Sequence, residues 1–184
     1  ERNAGDTDSL NALVRAQRRP VRTWNSLLQR ALYQRGKLHT AAAGSAGALQ
    51  IVRHQAELAA LTQGQPPASG TPIALLATEG LHPLEGKLEN VDRLFDAGFR
   101  IMGLTHFFDN ELGGSAHGLE KGGLTPFGKQ VVAKLQEKSV LVDLAHASPQ
   151  VVDDVLAMTK RPVLVSHTGV QGTCPGPRNL SDRH

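Results

Sequence analysis

Four short apolar stretches of this chain each end in a residue type that commonly binds metal ions, and this pattern constrains the fold most. The stretches are residues 73–78, 100–105, 140–145 and 163–166. The residues that follow them are Glu79, His106, His146 and His167. Side chains at the carboxyl ends of barrel strands converge on one face of the barrel. The pattern therefore predicts a parallel, barrel-type sheet with a ligand cluster at one end, which packing alone would not require.

Predicted helices alternate with these strands, which indicates repeated βα units. The helical segments are residues 85–97, 125–138 and 149–159. Thr125 and Ser148 are candidate N-caps, each followed by a proline in the first turn. Alternating βα units predict the α/β class, with a parallel sheet and right-handed crossovers. Residues 71–184 show four units, whereas a closed (β/α)8 barrel needs eight strands and about 250 residues. We therefore expect about half of a barrel, as part of a longer protein.

Residues 1–70 have a different pattern, which we interpret as an N-terminal helical segment followed by a linker. Apolar residues at helical spacing predict helices over residues 21–35, with Gly36 as the stop, and over residues 46–62. Residues 63–70 are rich in Gly, Pro and Gln, which is typical of a linker. The barrel units would then begin after this linker.

The charge of the chain is unevenly distributed. Residues 1–54 contain nine Lys or Arg against three Asp or Glu, whereas residues 55–184 contain eleven against fourteen. A basic stretch can attract nucleic acid or a membrane surface. These arginines are scattered among Gln, Leu and Ala, and Trp24 and Tyr33 are too few to stack bases. We therefore favour a solvated helical face and expect no nucleic-acid partner.

The cysteine content and hydropathy of the chain argue against an internal disulfide and against a membrane-spanning helix. The single cysteine, Cys174, rules out an internal disulfide. We expect it to be inert, because no His and Asn arrangement accompanies it. No apolar stretch approaches the roughly 20 residues of a membrane-spanning helix. The cysteine content fits a reducing compartment without excluding an oxidising one.

Each strand-end residue also has a purely structural explanation. Taken alone, Glu79 is better explained as a solvated loop glutamate, and His106 equally well as a hydrogen-bonded structural histidine. His146 and His167 are 21 residues apart, about one βα unit, which places them on neighbouring strands at the same barrel end. Imidazole and carboxylate are both good zinc ligands. The joint pattern therefore predicts a metal site.

Three more residues are candidates for supporting roles. Arg178 alone reads as a surface arginine, but beside a metal site it can hold a substrate carboxylate in a bidentate pair. Asp143 is a candidate partner for a ligating histidine. His82 could fill a similar role or cap the helix after it. The remaining histidines, which we interpret as surface residues, are His39, His54, His117 and His184.

Together these motifs resemble the membrane dipeptidase (renal dipeptidase) family of zinc peptidases. The matching pieces are Glu79-Gly-Leu-His82, Gly103-Leu-Thr-His106, Gly123-Leu-Thr-Pro-Phe-Gly128, Val142-Asp-Leu-Ala-His146, Val165-Ser-His167 and Arg178-Asn179. Spacing and order agree over about residues 73–184, and residues 105–118 are similar to bacterial members. Residues 1–70 show much less that can be matched.

The resemblance implies a TIM-type (β/α)8 barrel of the metal-dependent hydrolase kind, in which a hydroxide bridging two zinc ions cleaves dipeptides. It implies that Glu79 bridges both ions and that His146 and His167 bind one of them. His106 would contact the substrate and its oxyanion, and Arg178 the substrate carboxylate. The family also suggests a homodimer, and leaves both the cytoplasm and the periplasm of a bacterium open as compartments.

Two parts of the family pattern have no counterpart in this sequence. In the family, a His-x-Asp pair on the first strand helps to hold the first metal, and no His-x-Asp occurs here. The family's proton-shuttling aspartate on a late strand is also without a match. Both absences agree with the expected partial barrel. Two other classes stay open: a related metal-dependent hydrolase of amide or lactone bonds, and a non-catalytic barrel that lacks the first-metal ligands.

Overall fold

The computed structural model describes residues 10–63 and 71–184. Its α-helices are α1 Leu10–Ala16, α2 Leu27–Gly44, α3 Gln55–Gln63, α4 Asn90–Asp96, α5 Pro126–Glu137 and α6 Pro149–Met158. Its strands are β1 Gln50–Ile51, β2 Ile73–Ala74, β3 Leu76–Thr78, β4 Phe99–Gly103 and β5 Leu141–Asp143. Short 3-10 helices cover Val21–Thr23 and His82–Leu84. From β3 onward, strands and helices alternate as the sequence predicts.

Strands β3, β4 and β5 form a parallel sheet in chain order, which confirms the predicted pairing. In this sheet Ala77 pairs with Ile101, and Ile101 pairs with Leu141. The predicted fourth strand is reduced to one parallel bridge, between Leu164 and Asp143. The carboxyl ends of all four segments therefore lie along the same edge.

The two faces of this sheet are covered differently. The face under the helices is fully buried at Met102 and Val142. On the other face Ala77 is exposed, Ile101 is half-buried and Leu141 is 40% exposed. Because residues of a closed barrel fill its interior in such rows, the exposed row corresponds to the inside of a barrel wall.

Both predicted N-caps are confirmed. The Thr125 hydroxyl accepts a hydrogen bond from the Gly128 amide at 2.9 Å, and the Ser148 hydroxyl accepts one from the Val151 amide at 3.1 Å. In each helix a proline follows the cap, where its missing N–H costs nothing. These caps define where α5 and α6 begin, and Ser148 follows the site loop of His146 by two residues.

The predicted helix over residues 21–35 is wrong at both ends. The α-helix begins only after Ser26, whose side chain caps it. It also runs through Gly36 to Gly44. A single interior glycine costs about 1 kcal/mol, and the strong helix formers that follow, including the alanines at 41–43, outweigh this cost.

The predicted helix over residues 46–62 is wrong in its first part. Gln50–Ile51 form β1, which pairs in parallel with β2, and only Gln55–Gln63 are helical. The backbone of Gly47 has a φ of 88°, which a right-handed helix excludes. The sequence pattern could not show the pairing with β2. Residues 64–70 of the predicted linker lie outside the described residues.

Helix α4 is shorter than the predicted 85–97 because Glu85 and Gly86 have φ angles of 52° and 71°. This left-handed turn places the Glu85 carboxylate at the start of α2, where Oε1 accepts from the Leu28 amide at 3.2 Å. Farther along α2, Arg35 donates to the carbonyl of Ala97 at 2.9 Å. These contacts attach α2 to the barrel units. No helix within the described ranges has the length and apolarity to cross a bilayer.

Candidate metal centre

The four strand-end residues meet at the carboxyl edge of the sheet. The Oε1 atom of Glu79 lies 2.9 Å from His146 Nε2, 3.1 Å from His167 Nε2 and 3.4 Å from His106 Nε2. The Nε2 atoms of His146 and His167 are 2.9 Å apart. The structure thus brings together the four residues that the sequence pattern singled out.

This donor set fits a divalent metal ion such as zinc. Bonds of about 2.0–2.1 Å in tetrahedral geometry separate neighbouring ligand atoms by about 3.3 Å. The separations among Glu79, His146 and His167 are 2.9–3.1 Å, close to that value. Glu79, His106 and His146 also present ligand atoms that all lie within 4.8 Å of one another. His106 can therefore act as a metal ligand as well as in the substrate contact that the family resemblance implies.

The backbone of His146 is held in an unusual conformation that aims its ring at this cluster. Its φ is 67°, in the left-handed region that few non-glycine residues adopt. The Asp143 carboxylate accepts from the Ala145 amide at 3.0 Å, and the His146 carbonyl accepts from the Ala116 amide at 2.8 Å. Such strain persists where the surroundings over-determine it, and it concentrates at functional sites.

Glu79 is followed by a turn that only glycine accommodates. Gly80 has a φ of 83°, and a Cβ there would lie 3.0 Å from the His82 ring and 3.2 Å from His106 Cβ. His82 thus packs under this turn, and its ring also lies 5.7 Å from that of Phe108. Its role as a partner of a ligating histidine stays a prediction.

The electrostatics of the cluster favour the protonation states that a metal site needs. Burial lowers the pKa of His146 to about 4, despite its hydrogen bond with Glu79. Burial is also the main cause of the lowered pKa of His106, and the positive charge of Arg178 adds to it. Burial alone would raise the pKa of Glu79, but the hydrogen bond with His146 and the charges of the three imidazoles leave it lowered. At neutral pH, Glu79 is ionised and His106 and His146 are neutral, as metal ligands must be.

Arg178 reaches the cluster from the loop after His167. Its Nη2 lies 3.2 Å from His146 Nε2, and its Nη1 donates to the His167 carbonyl at 3.2 Å. Asn179 shapes this loop by donating to the Cys174 carbonyl at 2.6 Å. The guanidinium is therefore beside the metal-type ligands, where a bound carboxylate group would be held next to them.

Two histidines that we interpreted as surface residues are not. The His117 ring lies 5.3 Å from the Phe107 ring and 5.6 Å from the His146 ring, in the wall of the site. The side chain of His184 is only 6% exposed, and its Nε2 lies 3.1 Å from a carboxylate oxygen of Asp153.

Hydrogen bonds within the glycine-rich loop bring His117 into the site. The Asp109 carboxylate accepts from the amides of Ser115 at 2.7 Å and Glu120 at 2.8 Å, which turns the loop back on itself. The only sequence signal was that His117 falls within residues 105–118, the stretch similar to bacterial members. Neither spacing nor periodicity predicted the contact with His146.

A wall of parallel βα units defines an α/β-barrel protein, and the carboxylate–histidine cluster at its carboxyl edge is a candidate metal site. The profile of the membrane dipeptidase family (peptidase family M19) matches residues 9–184. The chain belongs to this family, which confirms the resemblance seen in its motifs.

Individual relatives agree with this assignment. A dipeptidase of Aspergillus oryzae, aclJ, is 34% identical over 111 residues, which cover 59% of this chain and 26% of that protein. The structure of an amidohydrolase from Pseudomonas aeruginosa matches 84% of this chain and 46% of its own, at 22% identity and a TM-score of 0.74. The structure of a metallopeptidase from Rhodobacter sphaeroides was solved with a phosphinate mimic of the dipeptide L-Ala-D-Ala. It matches 80% of this chain and 42% of its own, at 24% identity and a TM-score of 0.66. These structural similarities confirm the barrel class, and the chain spans about a quarter of the curated relative.

Proposed function

We propose that the protein containing these residues hydrolyses dipeptides with the help of two zinc ions. The observation that carries this proposal is the convergence of Glu79, His146 and His167 within 3.1 Å of one another. Membership of the membrane dipeptidase family supports it. The dipeptide mimic bound by the Rhodobacter sphaeroides metallopeptidase is in keeping with it.

Glu79, His146 and His167 would hold the metal in this part of the protein. A carboxylate has two oxygens and an imidazole one free nitrogen, so Glu79 can bridge two ions while each histidine binds one. The chemistry that bound zinc supplies is a water molecule with a pKa lowered to about 7 and a polarised substrate carbonyl.

His106 would stabilise the oxygen that gains charge during hydrolysis. Its side chain is 27% exposed, so its ring both borders the ligand cluster and faces solvent from which substrate arrives. One donor to such an oxyanion contributes about 3–4 kcal/mol to transition-state stabilisation.

Arg178 limits the length of the substrate. Its guanidinium lies 3.2 Å from a proposed metal ligand, so a carboxylate that it binds lies very close to the metal centre. Only a substrate with a single residue between its scissile carbonyl and its terminal carboxylate fits this spacing. Dipeptides meet this requirement, whereas longer peptides do not.

The test is an assay of the full-length protein on dipeptides, a matched tripeptide, an N-acyl amino acid and a lactone. We expect turnover of dipeptides with little turnover of the tripeptide, loss of activity with a chelator and recovery with zinc. Unchanged hydrolysis after chelation would contradict the metal mechanism. Faster turnover of the lactone or N-acyl substrate would favour the related hydrolase, and zinc binding without turnover would favour the non-catalytic barrel.

A further inference from the structure

Behind His167, two side chains form a hydrogen-bonded chain that ends at its ring. The Ser166 hydroxyl lies 2.5 Å from Asp143 Oδ2 and 2.9 Å from His167 Nδ1. Asp143 ends strand β5 and is 6% exposed, whereas Ser166 and His167 lie on the neighbouring segment and are exposed. The buried carboxylate is therefore the fixed end of this chain.

The hydrogen-bonding capacity of each group determines which group donates and which accepts along this series of hydrogen bonds. Asp143 Oδ1 accepts from two backbone amides, those of Ala145 and Ser166, both at 3.0 Å. An ionised carboxylate only accepts, so the Ser166 hydroxyl proton points to Asp143. That hydroxyl has no second proton, and it can interact with His167 only as an acceptor. Nδ1 of His167 must therefore carry the proton.

We propose that Asp143 and Ser166 are positioning residues that hold His167 in the tautomer with a protonated Nδ1. In this tautomer the Nε2 lone pair points to the cluster, where it lies 3.1 Å from Glu79 Oε1 and 2.9 Å from His146 Nε2. The partner of one ring nitrogen determines which tautomer is present, and thereby whether the other nitrogen can bind a metal. The inference rests on the proposed function only in taking His167 as a metal ligand.

The two ligating histidines are then oriented in different ways. His146 is 5% exposed and is held by packing and by its left-handed backbone. His167 is 50% exposed, so packing constrains its ring much less. Hydrogen bonding through Ser166 supplies the constraint that burial supplies at His146.

The most informative variant is Asp143→Asn, which keeps the side-chain shape but reverses the direction of the hydrogen bonds from residue 143 through Ser166 to His167. The Asn oxygen can still accept from the amides of Ala145 and Ser166, and the Asn NH2 would then donate to the Ser166 hydroxyl. Ser166 would in turn donate to His167 Nδ1, which favours the tautomer with the proton on Nε2. Ser166→Ala removes the hydroxyl that relays the hydrogen bonding from Asp143 to His167. Ser166→Thr keeps this hydroxyl and serves as the matched control.

The experiment uses the full-length protein with two readouts. The 15N chemical shifts of the His167 ring are measured without metal near pH 8, and zinc affinity is measured by competition with a chromophoric chelator. We expect a protonated Nδ1 in the natural protein and in Ser166→Thr, and a shift towards the other tautomer in Asp143→Asn. Zinc affinity should fall about 10–100-fold in Ser166→Ala and Asp143→Asn, and stay near the natural value in Ser166→Thr.

A protonated Nε2 on His167 in the natural protein would overturn the proposal without any variant. So would folded Asp143→Asn and Ser166→Ala variants with unchanged ring shifts and zinc affinity. If Asp143→Asn does not fold, the Ser166→Ala and Ser166→Thr pair decides alone. Failure of the proposed function is a separate result: zinc would bind and the relay would be seen in the shifts, but no dipeptide would be cleaved.

Discussion

Two clusters of ionisable side chains, one on the outer surface and one at the carboxyl edge of the sheet, are built on opposite principles. On the surface, Asp92 of α4 accepts from the ammonium group of Lys134 in α5 and, at 2.7 Å, from that of Lys138, the residue directly after α5. At the edge, three imidazoles surround the single carboxylate of Glu79. The surface cluster pairs opposite charges, whereas the edge cluster gathers electron-pair donors.

This difference separates a structural cluster from the proposed metal-binding one. Asp92 and its lysines satisfy each other, and the lowered pKa of Asp92 and the raised pKa of Lys138 follow first from the hydrogen bonds between these side chains. At the edge, the Nε2 atoms of His146 and His167 lie 2.9 Å apart, so these two nitrogens can share only one proton, and at least one of them keeps a free lone pair. A cation bound between these donors would be held by all of them at once.

The largest predicted effect is the loss of zinc binding when an edge ligand is removed. We expect His146→Asn and Glu79→Gln to lower zinc affinity by more than about 100-fold, a larger loss than that of an outer partner. Asn tolerates the left-handed backbone of residue 146. Chelator competition measures the affinity, and Asp92→Asn is the control that should leave it unchanged. Natural affinity in His146→Asn would remove this residue from the site.

The second prediction concerns the pH dependence of stability in the metal-free protein. His146 has a pKa of about 4 in the folded chain, below its ordinary value of 6.5. Between these values the unfolded chain binds a proton that the folded chain does not, so stability falls as pH drops from 6.5 to 4. The loss from this residue is about 3 kcal/mol at most. Urea unfolding at several pH values measures it, and an equal slope in His146→Asn would contradict the assignment.

The third prediction compares two arginines. Arg178→Ala should raise KM for dipeptides about 10–100-fold, because a hydrogen bond to a charged group contributes about 1.5–3 kcal/mol. Arg183→Ala is the matched control, since Arg183 is 69% exposed and pairs with Asp153 outside the proposed site. Steady-state kinetics on the full-length protein give KM for both variants. An unaltered KM in Arg178→Ala would end its proposed role.

The smallest predicted effect is at the surface cluster. Asp92→Asn should lower the free energy of unfolding by less than about 1 kcal/mol at neutral pH, because exposed ion pairs contribute little. The lysines lower the pKa of Asp92 below 3.8, so its contribution is present above that pH and is lost as pH falls below it. The two clusters thus lose their contributions to the free energy of unfolding in different pH ranges. A change in zinc affinity in this variant would contradict the separation of the clusters.

The sequence predicted those features that depend on local or periodic signals. Thr125 and Ser148 were recognisable as caps because the cap residue, the proline and the apolar stripe are close in the chain. The convergence of Glu79 and the histidines followed from one repeated rule, that carboxyl ends of parallel strands share an edge. This rule needs no knowledge of individual contacts.

Features that depend on distant contacts were not predictable in this way. Strand β1 has no strand-like pattern of its own and is defined by its pairing with β2. His117 enters the site because Asp109 folds the glycine-rich loop back, a contact that no spacing encodes. The Ser166 relay joins residues of two segments and became visible only from their hydrogen bonds.

The central claim is that the carboxyl edge binds a metal ion through Glu79, His146 and His167. Anomalous diffraction at the zinc absorption edge, from crystals of the full-length protein grown with zinc, tests it most directly. We expect a peak about 2.0–2.2 Å from Glu79 Oε1 and from the Nε2 atoms of both histidines. Saturating zinc with no peak within ligand distance of these three atoms would contradict the account.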